Sequence, residues 1–117
     1  MDIRSDELYK ICVCVPEEFL EKMMDSVNDV IGSVFPGYDR AFSYSRVKGT
    51  WRPLKGSKPF KGRIGEIETA DEIRLEFVVR GSDLKDVLNI IADVHPYEEP
   101  AIDVIPMLNW KDVIRSS

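Results

Sequence analysis

Apolar and polar residues alternate along this chain with two periods, one near two and one near three and a half, and each switch marks a new element. Residues 9–15 form an apolar run that reads as a buried strand closed by Pro16. Proline suits a first helical turn, and Glu17, Glu18 and Glu21 follow where negative charge complements a helix N-terminus. Phe19, Leu20, Met23, Met24, Val27, Val30, Ile31 and Val34 then recur at helical spacing, predicting a helix that Pro36-Gly37 stops. Residues 38–47 change to aromatic alternation, with Phe42 and Tyr44 on one face of a second strand. Residues 49–62 hold three glycines and two prolines and predict an irregular excursion.

Residues 64–69 and 72–80 read as two further strands, joined into a hairpin by a turn at Ala70-Asp71. Ile73, Leu75, Phe77 and Val79 share one face of the second of them. Gly81-Ser82-Asp83 supplies a break, an N-cap and a first-turn acid for a second helix, whose stripe is Leu84, Val87, Leu88, Ile91 and Val94. His95-Pro96 closes it, because a residue before proline avoids helical geometry. Residues 97–100 then lead into a last strand at 101–106. The order predicts an α+β, ferredoxin-like βαββαβ sandwich: an antiparallel sheet with two helices on one face. Residues 1–117 are expected to form one domain, with an acidic leader at 1–7 and a tail at 108–117 anchored by Trp110, Val113 and Ile114.

Composition narrows the function. At 117 residues and 44% hydrophobic, the chain is an ordinary globular domain in size and content. No uncharged run is long enough to span a bilayer and the N-terminus lacks the apolar core of a secretory signal, so a cytoplasmic protein is expected. The net charge of −5 argues against a nucleic-acid binder. Its distribution is uneven: residues 45–63 carry seven of the 16 basic residues and none of the 21 acids. Such a segment is either a solvated loop or an attractor for an anion or an acidic partner. Cys12 and Cys14 lie on one face of a strand, where neighbouring geometry disfavours a disulfide, and are expected to be free, buried thiols.

Two stretches carry candidate chemistry. In the first, His95, Glu98 and Glu99 have donors suited to a divalent ion or to acid–base work. The alternative is structural: Pro96 and Pro100 make a rigid turn that packs Tyr97, and a cationic His95 complements the helix C-terminus. In the second, backbone amides freed by Gly56 and Gly62, with Arg52, Lys55 and Lys58, offer a cradle for an anion, and Trp51 offers a stacking face. Trp51 and Phe60 equally suit a subunit interface. One histidine, no G-x-S-x-G and no Walker loop leave little catalytic vocabulary, so no enzyme activity is expected.

His95-Pro-Tyr-Glu-Glu-Pro-Ala101 followed by Asp103, the pattern Gly49-x-Trp-Arg-Pro-x-x-Gly-x-x-Pro-Phe-x-Gly62, Gly65-x-Ile-Glu68 and the opening Tyr9-Lys-Ile-Cys-Val-Cys-Val-Pro-Glu17 together resemble the YqfO-like proteins. Those are stand-alone relatives of the domain inserted in the NIF-three (NGG-one interacting factor) family. The resemblance covers roughly residues 9–107. It implies a fold similar to the PII signalling proteins and to CutA, a homo-oligomer with a trimer favoured, and clefts between subunits. The excursion stands where PII proteins carry a mobile signalling loop. The dinuclear metal centre of full-length NIF-three proteins lies on their flanking domains, so the resemblance carries no metal ligand to this chain. The expected function is a non-enzymatic, oligomeric binding module without a cofactor, taking a small anionic ligand or a protein partner. The alternative is a divalent-metal-binding or metal-hydrolase-associated protein of the NIF-three type.

Overall fold

A computed structural model describes residues 1–116 of the chain. Strand β1 (Leu8–Val15) buries Tyr9, Ile11, Val13 and Val15 on one face and half-buries Leu8, Lys10, Cys12 and Cys14 on the other. Pro16 ends it, and a 3₁₀ turn (Glu17–Phe19) leads into helix α1 (Leu20–Ile31), with the three glutamates in the first turns as expected. Leu20, Met23, Met24, Val27 and Ile31 form its buried face. The helix stops short of the predicted Val34. Gly32, free of a Cβ penalty at φ +53°, turns the chain and donates its N–H to the Asn28 carbonyl before Pro36-Gly37 is reached.

Strand β2 (Phe42–Trp51) starts and ends four residues later than predicted, and so absorbs Gly49, Thr50 and Trp51 from the expected excursion. Arg40, itself at φ +52°, precedes it, with its N–H donating to Asn28 Oδ1 at 2.8 Å and its guanidinium pairing with Glu21 and Asp25. The two strands expected at 64–69 and 72–80 are one, β3 (Glu68–Arg80), and the predicted turn at Ala70-Asp71 is continuous strand. Pairing with β2 runs from Phe42↔Phe77 to Trp51↔Glu68, so the ladder satisfies the backbone where the turn was expected. Tight hairpins need positive φ, and the residues that take it, Gly56, Gly62 and Gly65, lie farther back in the excursion.

Helix α2 (Gly81–Val94) follows directly. Arg80, not Ser82, stands at its N-cap position, and Asp83 pairs with Arg80 at 3.2 Å. A Cβ on Gly81 would lie 1.9 Å from the Arg4 carbonyl oxygen, so the acidic leader packs against the start of this helix only because the residue is glycine. Strand β4 (Ile102–Met107) and a short helix α3 (Trp110–Arg115) complete the chain. The sheet order is β2-β3-β1-β4, antiparallel throughout. Ile73, Leu75, Phe77 and Val79 join the inward residues of β1 and the buried faces of α1 and α2 in one core. This is the ferredoxin-like arrangement the element order predicts. Among the described residues no helix is long and apolar enough to cross a membrane.

Two features of the sheet position the site. First, β1 pairs with β3 only as far as Val15↔Ile73, whereas β2 and β3 continue together, so a two-stranded ribbon projects past the sheet. Second, the strand positions facing away from the helices on β1, β2 and β4 are half-buried or exposed among the described residues, so that face is open. Cys12 and Cys14 are free, as expected, but lie half-buried on that open face instead of in the core, because they occupy the opposite phase of β1 from its buried residues. Cys12 Sγ donates to Glu76 Oε1 at 3.2 Å, and burial together with Glu76 raises its thiol pKa.

Candidate functional site

The ribbon, the excursion after it and the block that follows α2 meet around one cleft of about 580 Å³. The two candidate stretches are therefore walls of a single site, joined where the Lys58 N–H donates to Glu98 Oε1 at 3.1 Å across 40 residues of sequence. A groove of about 750 Å³ at the other end of β1, bounded by Leu8, Pro36 and Trp110, holds none of the candidate residues.

His95 is one pillar. Extended backbone at the end of α2 (φ −68°, ψ 131°) swings it under the sheet, where it is 6% exposed. The Tyr97 N–H donates to Nδ1 at 3.1 Å, so Nδ1 carries no proton, and Nε2–H donates to the Cys14 carbonyl at 2.7 Å. Burial pushes the imidazole pKa below its usual value, against the opposing pull of the Cys14 carbonyl and Glu72. The ring is thus favoured neutral, not the helix-terminal cation the sequence suggests. Both nitrogens are committed, and Glu98 is spent on the Lys58 amide. Among the described residues no three His, Cys, Asp or Glu side chains are grouped to hold a metal ion, so His95, Glu98 and Glu99 are not brought together as a ligand set.

Tyr97 is the hub. Its ring centroid lies 5.5 Å from that of Trp51, 5.9 Å from Phe60 and 5.0 Å from His95, and Phe60 also meets Phe19 edge-on at 6.1 Å. Burial, then hydrogen bonding to Glu72, raises the Tyr97 hydroxyl pKa far above that of a free phenol. The excursion is held as well: Trp51 Nε1 donates to the Lys61 carbonyl at 3.2 Å, and the Gly65 N–H to the Pro53 carbonyl at 2.8 Å. Pro96 and Pro100 are half-buried at either end of the Tyr97 turn, and the Cys14 N–H donates to the Ala101 carbonyl at 3.3 Å where the last strand begins.

Of the anion-binding candidates, Trp51 and Arg52 line the cleft; Lys55, Gly56 and Gly62 do not, and Lys58 takes part through its backbone. Residues outside the predicted set also line it, among them Gly49, Lys61, Glu72 and Arg74. Glu72 is only 7% exposed, and a Cβ on Gly49 would lie 2.1 Å from its Oε1. That close approach is the reason glycine stands inside β2, and a glycine within a strand was the available signal for it. Glu72 and Arg74 gave no such signal, since on an alternating strand they read as solvent-facing. Arg52, Lys61 and Arg74 form no ion pair among the described residues, while Arg46 and Lys48 nearby are paired with Glu17 and Asp71.

No family model matches the chain. A Staphylococcus epidermidis protein named GTP cyclohydrolase 1 type 2 homolog is 34% identical over 107 residues, and a Bacillus subtilis protein of the same name is 37% identical over 103. Those matches take 92% and 88% of this chain but 29% and 28% of the relatives. Among solved structures, a Bacillus cereus protein related to NIF3 superposes with a TM-score of 0.77 at 28% identity, over 91% of this chain and 27% of that one. The chain is related to one part of the NIF-three proteins. It spans under a third of the length of the curated relatives it matches. This NIF-three-related chain shares its fold with the periplasmic divalent cation tolerance protein CutA from Archaeoglobus fulgidus (TM-score 0.63, 17% identity, 87% of this chain and 85% of that one). It shares it also with PII from Arabidopsis thaliana (TM-score 0.57, 20% identity, 87% and 78%). The likeness to CutA and PII is one of fold alone.

Proposed function

We propose that this protein is a non-enzymatic, homo-oligomeric binding module of the cytoplasm, and that the cleft between the excursion and the His95 block takes a small anionic ligand. The observation that carries this reading is a set of cations without an ion pair among the described residues, Arg52, Lys61 and Arg74, on a cleft walled by Trp51, Phe60 and Tyr97 in an otherwise acidic molecule. Aromatic faces supply contact area, and a free guanidinium supplies paired donors for an oxyanion. His95 supports the non-enzymatic reading: with both nitrogens engaged inside the fold, it has none to offer a reacting proton. The uncovered sheet face, with Ile105 46% exposed, supports self-association, with a trimer as the favoured assembly.

A thermal-shift panel of phosphate, citrate and other small anions tests the cleft. An anion at 100 times its dissociation constant stabilises by about 2.7 kcal/mol, and Arg52→Ala together with Lys61→Ala removes that gain. A panel without a single Arg52-dependent shift would sink the ligand reading. Light scattering showing a stable monomer at micromolar concentration removes the oligomer. The resemblance to NIF-three proteins, with the name GTP cyclohydrolase 1 type 2 homolog that the relatives carry, favours a second reading, in which this part accompanies a metal-dependent hydrolase. Stoichiometric metal in the purified protein, or turnover of GTP, would favour that reading over the first.

A further inference from the structure

We infer that Glu98 is an anion built into the cleft, and that an oxyanion ligand binds by displacing its carboxylate from the Lys58 amide. Glu98 thereby sets how tightly the cleft holds anions. The inference rests on the reading of the cleft as an anion site and adds the residue that tunes it.

The Lys58 N–H lies at the cleft between Ser57 and Pro59, which both line it, and donates to Glu98, which lines it too. Gly56 at φ +99° and Gly62 at φ +101° bracket it, and such positive-φ residues let a loop turn its amides toward one point. Arg52 and Lys61 line the same cleft, and neither they nor Lys58 form an ion pair among the described residues. This is the environment an oxyanion seeks, and the group that occupies it is a carboxylate of the chain itself. Glu99, the next residue, lines the same cleft and carries the same charge, yet makes no side-chain hydrogen bond among the described residues. The contact is therefore specific to Glu98 and not a general pull on any nearby acid. Pro96 and Pro100 stiffen the backbone around it, so release takes a rotation of an exposed side chain and leaves the turn in place. A tethered competitor of this kind lowers the apparent affinity of a free ligand by the fraction of time it holds the donor.

Glu98→Ala and Glu99→Ala remove the same charge one residue apart, which separates displacement from simple electrostatics. Inorganic phosphate is titrated into each isotopically labelled protein of residues 1–117 while the backbone amides are followed by NMR. Displacement predicts that Glu98→Ala binds phosphate roughly tenfold or more tightly than wild type, that Glu99→Ala stays within about threefold, and that the Lys58 amide moves most. Equal effects of the two variants, or a Glu98→Ala protein that binds phosphate no better than wild type, overturn it. If wild type and both variants bind alike and Arg52→Ala abolishes binding in all of them, the cleft survives as an anion site and only the role of Glu98 falls. If none binds phosphate, the displacement proposal is wrong, and the cleft is judged by the wider anion panel.

Discussion

The helix-covered face of the sheet and the ribbon end hold together by different physics. Under α1 and α2, Ile11, Val13, Val27, Leu75 and Ile91 are completely buried side chains with nothing polar to satisfy. At the ribbon end stand the buried polar residues of the described chain, Glu72 and His95, each dependent on particular partners. An apolar core accepts any well-shaped filling, whereas a buried polar group costs free energy unless its own partner is present. The core therefore sets how stable the molecule is, and the ribbon end sets what shape the cleft keeps.

The comparison breaks most directly through Leu75→Ala. Leu75 is completely buried, so the substitution is expected to cost about 2 to 5 kcal/mol in chemical denaturation. Any protein still folded should keep its phosphate affinity, since Leu75 does not line the cleft. Tyr97→Ala is the counterpart. Its ring is half-buried, so the expected cost is smaller, about 2 to 3 kcal/mol, below that of a fully buried aromatic. Here the cleft should be lost as well, because Trp51, Phe60 and His95 all pack on that ring. If both variants lose ligand binding in proportion to stability, the two regions are not separable.

The same contrast explains how far the sequence could be read. Elements whose pattern is local came through: β1 from its apolar run, α2 from its stripe between Gly81 and His95, and the helices' common face from Ile73, Leu75, Phe77 and Val79. Errors arose where a partner distant in sequence decides. Ala70-Asp71 is strand because Gly49 and Lys48 pair with it, and nothing within residues 64–80 records that pairing. The excursion and the His95 block read as two sites in the sequence because the Lys58–Glu98 contact that joins them spans 40 residues. Glu72 escapes the sequence because a polar residue on an alternating strand reads as solvated, whereas the fold buries it to 7% exposure.

Gly49→Ala sharpens the comparison by one methyl group. The added Cβ would meet Glu72 Oε1, so the carboxylate must leave its place beside Tyr97. Overpacking of this kind costs about 1 to 3 kcal/mol, and the low end is expected because the displaced atom ends a flexible side chain. The sharper readout is the Tyr97 hydroxyl, whose raised pKa depends in part on Glu72 and should fall toward that of an ordinary phenol. An unchanged phenol titration would mean that Glu72 does not hold Tyr97.

The smallest effect is expected from protons. The folded His95 pKa is depressed, chiefly by burial, below the 6.5 of a free imidazole, so the unfolded chain binds more protons between those two values. Stability from the neutral ring is then fully present above about pH 6.5 and is lost as the pH falls through that value toward the folded pKa. Because the Cys14 carbonyl and Glu72 both favour the charged ring, the slope is shallower than burial alone would produce. His95→Gln should start less stable, having lost the fitted hydrogen bond to Cys14, and should lack this slope between about pH 7.5 and 5.5, where carboxylates with ordinary pKa values near 4 contribute little. Denaturant melts at both ends of that range decide the matter. A wild-type protein as stable at the lower pH as at the higher, or a variant with the same slope, would place the titrating group somewhere other than His95. A slope that disappears with the histidine would tie the pH response of the whole fold to the neutral ring beneath the cleft.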